Sequence, residues 1–285
     1  MNSWRRAVVG WVIVGAVLAG VGGRVAGSVA APPDHPQRAA LHADYVLLDE
    51  RTESRFVVQR WIRRGSPPPS PAGYCDCITV VLEARGARLD LGEDSGITTV
   101  SALPDVTGDA LDELVVHDYT GGVHCCNFTR IYSFDAEGPR LLLSLGTGHC
   151  EVRLVDLDGD GRAEVETCDD RFANAFCSFA DSPKPPVVLR FDAGTGRFEL
   201  ATRRFASVVT VPSTDALRAE SRAADDRPDV QRCIALGPVI DRLYMDGEDS
   251  ALRLLASIYD RPDRDGLWLQ ALEIARRSPL YPAAR

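Results

Sequence analysis

The segment Asp156-Leu157-Asp158-Gly159-Asp160-Gly161-Arg162-Ala163-Glu164 constrains this chain more than any other. Carboxylates packed so closely repel one another unless a cation or strong donors hold them together. Gly159 and Gly161 let the backbone curl so that alternate side chains converge. Oxygen donors gathered in this way suit a hard cation, and Ca2+ takes six to eight of them. A second segment, Asp105-Val106-Thr107-Gly108-Asp109-Ala110-Leu111-Asp112-Glu113, follows the same plan. Aligned, the two place acids at positions 1, 5 and 9, an oxygen-bearing side chain at 3, glycine at 4 and a peptide carbonyl at 7. The earlier copy is degenerate, because Thr107 stands where the later one has an acid and Ala110 where it has glycine. An EF-hand is excluded. It needs a glutamate at position 12 and helices on both sides, whereas position 12 is Val116 or Thr167 and the flanks Leu103, Leu114, Leu154-Val155 and Val165 read as strands.

From Tyr45 to about Phe205 short runs of β-branched and aromatic residues alternate with Gly, Pro and Asp. Arg55–Ile62, Ile78–Ala84, Leu114–His117, Arg130–Phe134, Val152–Val155, Val187–Phe191 and Arg197–Ala201 are examples, and they predict a β domain over residues 44–205. Gly65–Gly73 with its three prolines is a loop. Asp192-Ala193-Gly194-Thr195-Gly196 reads as a hairpin turn, since neither a helix pattern nor a lysine follows to make it a phosphate loop. Beyond Thr210 the period lengthens to three and four, predicting a helical region over 206–285. There Gly237-Pro238 is expected to break one helix and open another, Ser250 to cap the next, and Leu267, Trp268, Leu272 and Ala275 to lie on the last.

An apolar strand, then Asp-x-(Asp/Asn/Thr)-Gly-Asp-Gly-x-x-(Asp/Glu), then another apolar strand resembles the FG-GAP/VCBS repeats of integrin-α-type β-propellers. The matching residues are Leu154-Val155-Asp156 through Glu164-Val165 and, more loosely, Leu103-Pro104-Asp105 through Glu113-Leu114. The resemblance covers roughly residues 95–200, with repeats at about 98–118 and 149–169. It implies Ca2+ ligands at Asp156, Asp158, Asp160, Arg162 (main-chain oxygen) and Glu164, and less securely at Asp105, Thr107, Asp109, Leu111 and Glu113. The loops start about fifty residues apart, which suits one four-stranded blade per repeat. A closed propeller needs at least four blades. The expected fold is therefore mainly β, a partial propeller-like stack of antiparallel blades with a C-terminal α-helical region. Gly121-Gly122-Val123-His124-Cys125-Cys126 is also similar to a Gly-Gly-x-His-Cys-Cys stretch of exported bacterial proteins carrying such repeats, a resemblance that implies no activity.

Arg5 and Arg6 precede an apolar run, Ala7 to Gly23, followed by Ser28-Val29-Ala30. This order predicts a signal peptide or N-terminal membrane anchor over residues 1–30, a flexible linker over 31–43 and an exported, extracytoplasmic chain, secreted, periplasmic or held at the membrane by residues 7–23. No cysteine precedes Cys75, which excludes a lipid-anchored lipoprotein. Eight cysteines in an exported chain read as disulfides. If Val155 faces Ala163 across the loop, Cys150 and Cys168 lie equally far outside that pair and directly opposite each other, so they are the expected bridge. The pairing of Cys75, Cys77, Cys125, Cys126, Cys177 and Cys233 stays open.

With 32 Lys+Arg against 41 Asp+Glu, a formal charge of −9, the chain is no polyanion binder. It has neither a Gly-x-Ser-x-Gly nor a His-Glu-x-x-His motif. The sequence thus favours a non-enzymatic, calcium-stabilised module whose partner is an extracytoplasmic protein or glycan. Membrane contact is expected only through the N-terminal segment. The competing expectation is a metal- or thiol-dependent enzyme centred on Cys125 and Cys126, helped by Cys75, Cys77, His117, His124 and His149.

Overall fold

A computed structural model describes residues 44–94, 97–122, 125–208, 212–224 and 226–282. The expected leader and linker, residues 1–43, lie outside the described residues. Ala43–Arg285 forms one compact unit. No helix among the described residues is long and apolar enough to cross a membrane.

Twelve strands make three four-stranded sheets. The first holds β1 (Tyr45–Glu53), β2 (Phe56–Arg63), β3 (Cys77–Glu83) and β4 (Arg88–Asp94). The second holds β5 (Ile97–Leu103), β6 (Glu113–Gly122), β7 (Cys125–Asp135) and β8 (Gly138–Gly148). The third holds β9 (Arg153–Val155), β10 (Glu164–Cys168), β11 (Pro186–Asp192) and β12 (Arg197–Leu200). Each is an antiparallel meander in which every strand pairs with its neighbour in sequence, and none closes into a barrel.

The second sheet is buried on both faces, and its side-chain alternation explains how. Leu114, Val116, Val100 and Phe134 pack with Phe56, Val58, Val81 and Leu91 of the first sheet. Val115, Ile131 and Leu103 point the other way, into a core shared with Val165, Val187 and Leu189 of the third sheet and with the helices. Leu114-Val115-Val116 of β6 therefore reads as an unbroken apolar run, because successive residues serve opposite layers.

Four helices follow: α1 (Thr214–Ala223), α2 (Pro228–Asp246), α3 (Glu248–Ile258) and α4 (Arg264–Arg276). Two sequence expectations fail here. Pro238 does not divide the chain but sits inside α2. An interior proline costs about 3 kcal/mol, and burial of Ala235, Leu236, Val239, Ile240 and Leu243 on one face of that helix offsets it. Ser250 lies within α3, whose N-cap is Gly247. Asp169 fastens the helices to the third sheet: its buried carboxylate accepts hydrogen bonds from the Tyr244 hydroxyl at 2.7 Å and from Ser278.

Candidate metal centre

In the second and third sheets the connection between the first two strands is an acidic loop, 104–112 between β5 and β6 and 156–163 between β9 and β10. In the first sheet a short turn at Ser54 and Arg55 stands in that place. This turn reaches the first acidic loop, with Ser54 hydrogen-bonded to Asp112 and Arg55 Nε donating to the Asp112 carbonyl at 3.0 Å.

The two loops share one internal architecture. The leading aspartate folds back and accepts three backbone N–H groups. For Asp105 these are Gly108 at 2.6 Å, Asp109 at 3.2 Å and Ala110 at 2.7 Å. For Asp156 they are Gly159 at 2.7 Å, Asp160 at 3.2 Å and Gly161 at 2.9 Å. The fifth-position aspartates bond alike, Asp109 to the Leu111 amide and Asp160 to the Arg162 amide, both at 2.9 Å. The turn demands positive φ at its fourth and sixth residues. Gly159 and Gly161 meet this at +76° and +85°, and Gly108 at +90°, but Ala110 is forced to +64°.

The closing glutamates, Glu113 and Glu164, are fully buried. Each presents one carboxylate oxygen to a loop amide, Val106 at 2.8 Å and Leu157 at 2.9 Å. The other oxygens differ. Glu113 Oε1 accepts from the Thr107 hydroxyl at 3.1 Å, whereas Glu164 Oε1 is buried with no hydrogen-bond partner among the described residues. Burial pushes the Glu113 carboxyl from 4.5 to about 7. The bonds from Val106 and Thr107 oppose that rise, and the charges of Asp105 and Asp109 add to it. Glu164 is raised for the same first reason, with Asp158 and Asp160 adding and the Leu157 amide and Arg190 opposing. Burial works against the charge on Asp105 too, but the amides of Gly108, Ala110 and Asp109 and the Thr107 hydroxyl outweigh it and hold that carboxyl below its ordinary value.

Among the described residues two groups of ligand atoms converge within 4.8 Å: Asp105 with Asp109 and Glu113, and Asp156 with Asp158 and Glu164. The first trio occupies positions 1, 5 and 9 of the aligned pattern. The second does not include Asp160. An arginine that sequence reading passed over lies against this loop. Arg190 of β11 lies 2.7 Å from Asp158, bonds Asp160 through Nη2, and brings Nε within 3.7 Å of Glu164. Arg204 adds a contact to Asp158 at 3.1 Å. The one available signal is a lone charge inside the apolar run 186–191, but only the register of β10 against β11 reveals what it faces. Thr107 contributes its hydroxyl to Glu113 rather than standing apart. Arg162 lays its guanidinium beside Gly108, where an added Cβ would sit 2.9 Å from Nη2, yet it makes no ion pair among the described residues.

A disulfide joins Cys150 and Cys168, with Cα atoms 5.4 Å apart. The register is not the one expected. Val155 pairs with Glu164 rather than Ala163, and the ladder ends at Arg153 and Glu166, so Cys150 reaches its partner from beyond the strand. Cys75 is bridged to Cys77 across a single residue, and Cys177 joins the loop after β10 to Cys233 of α2. Among the described residues no cysteine is a free thiol. His124 and the Cys125 side chain lie outside the described residues. His117 and His149 are engaged elsewhere, with Thr129 at 2.8 Å and with Asp170 at 3.1 Å.

No family model, curated protein or solved structure matches the chain. The resemblance to FG-GAP/VCBS repeats therefore rests on the loop residues themselves.

Proposed function

We propose that this is an exported, calcium-stabilised, disulfide-containing FG-GAP/VCBS-like repeat protein, a non-enzymatic binding or structural module. Its three meanders are three propeller-type blades in an open stack. The observation that carries the reading is the recurrence of one acidic turn at the same hairpin of two successive sheets, each ending in a fully buried glutamate. A buried carboxylate beside two further carboxylates is costly unless a cation neutralises it. Ca2+ supplies that charge, takes free carboxylate oxygens as ligands, and pins the first two strands of the hairpin it occupies. Extracellular modules of this kind bind Ca2+ at about 10⁻⁴–10⁻³ M, in keeping with an exported chain. A partner of the module would be an extracytoplasmic protein or glycan.

A thermal melt of the full chain in chelator and in calcium tests this reading. An ion that binds only the folded state raises the melting temperature, by about 2.7 kcal/mol of added stability at a hundredfold excess over its dissociation constant. Equal melting temperatures in EDTA and in calcium at about 10 mM, about ten- to a hundredfold above that affinity range, overturn it.

A further inference from the structure

The two loops differ at two linked positions. At position 3 the first loop has Thr107 and the second Asp158. Across the ladder from the closing glutamate, the β6–β7 register carried one residue further places Ser133 opposite Glu113. The β10–β11 register carried likewise places Arg190 opposite Glu164. The second loop thus gains one negative and one positive charge together, and the two meet at 2.7 Å. The packing accounts for the exchange. Glu113 and Ser133 lie on the face of the second sheet that the third sheet covers, and Ser133 is buried there with its hydroxyl unpartnered among the described residues. An arginine there would carry its charge into a buried layer, at a desolvation cost. Arg190 and Glu164 lie on the opposite face of the third sheet from Val165 and Leu189, where the guanidinium stays partly solvated.

We propose, resting on the calcium reading above, that Arg190 is the resident counter-cation of the second loop, so that the first loop is the divalent-ion-dependent one. The groups facing each site support the assignment. Asp105, Asp109 and Glu113 converge, and no ion pair to any of the three is found among the described residues, the Arg162 guanidinium lying beside Gly108 without one. Asp112 beside them is taken up by Ser54. In the second loop Arg190 contacts Asp158, Asp160 and Glu164, Arg204 adds to Asp158, and Asp160 stands outside the converging group. A unit positive charge at salt-bridge distance from the ligands opposes a divalent ion directly. The sequence ranking of the two loops is thereby reversed: the copy with more acids holds its turn with an arginine, and the copy with fewer needs the metal.

Calcium chloride titrations by calorimetry, with melts in EDTA and in calcium, test this on the full chain. D109N should remove the wild-type calcium response, while D160N should leave its affinity within about threefold. In the D109N background R190S should restore binding at the second loop, at least tenfold tighter than D109N alone, and D109N/R190K should behave as D109N. If D109N/R190S is unfolded in chelator, recovery of its fold on adding calcium supports the proposal and failure to recover overturns it. Calcium binding by D109N/R190S no tighter than by D109N, or loss of the wild-type response in D160N instead of D109N, refutes the role of Arg190 while leaving the calcium reading intact. A wild-type chain that binds no calcium removes both.

Discussion

Protons and calcium compete for Glu113, and the competition gives the calcium account a signed pH dependence. Without the ion, burial holds the folded carboxyl at about 7 against 4.5 for the ordinary group. The folded state therefore favours the proton, and the stability this confers is full below about 4.5 and is lost as pH rises through 7. At about 1.4 kcal/mol for each pH unit between the two values, ionising Glu113 costs the ion-free fold about 3 kcal/mol at pH 8. Thr107, Asp105, Asp109 and the Val106 amide are the groups that face it. Calcium binds the ionised form, so its apparent affinity should fall about tenfold for each pH unit below 7. The perturbation is E113Q, a neutral replacement of nearly the same shape. In EDTA at pH 8 the variant should be more stable than the wild type by up to about 3 kcal/mol, about 6–12 °C in Tm for a chain of this size. At pH 5 the difference should shrink to under about 1 kcal/mol, and the variant should respond to calcium at neither pH. Urea or thermal melts of both proteins at pH 5, 6.5 and 8, each with EDTA and with calcium, provide the measurement. A wild-type-minus-E113Q difference that does not change with pH in EDTA would refute the reasoning, as would a calcium response retained by E113Q.

Three other outcomes follow from local geometry. A110G should raise stability by up to about 1 kcal/mol in a denaturant melt, since alanine at φ +64° carries a left-handed penalty that glycine lacks, partly offset by glycine's greater chain entropy. Replacing Cys150 and Cys168 by alanine opens a loop of sequence separation 18 and should cost about 3 kcal/mol, read as a lower urea midpoint relative to the oxidised wild type. Y244F should cost about 1–3 kcal/mol, because the buried Asp169 carboxylate loses a donor, and hydrogen exchange should quicken in the helices before the sheets.

Much of this arrangement is legible in the residues. The acidic turns could be placed because their chemistry is local: aspartate side chains bond amides three to five residues on, and glycine supplies the positive φ. The strand runs around Val58, Val81, Val115, Ile131 and Val188 show because β-branched residues mark half-buried ladders. What stayed hidden depends on partners distant in sequence. Arg190 reveals itself only when β11 is laid against β10, and the unbroken α2 only when the face carrying Leu236, Val239 and Ile240 is seen to be buried. The register across the second loop was misplaced by one residue because the turn closes between Val155 and Glu164, not Ala163. The first sheet gave no loop signal because a short turn, Ser54-Arg55, replaces its acidic connection.

Equilibrium dialysis of the full chain against calcium, with D109N and E113Q as comparisons, measures the central claim most directly. At free calcium of about 10 mM, at least about tenfold above the dissociation constants of extracellular modules, the wild type should retain close to one ion per chain and both variants should lose it. No ion retained by the wild type at that concentration, or an equal amount retained by all three proteins, contradicts the account.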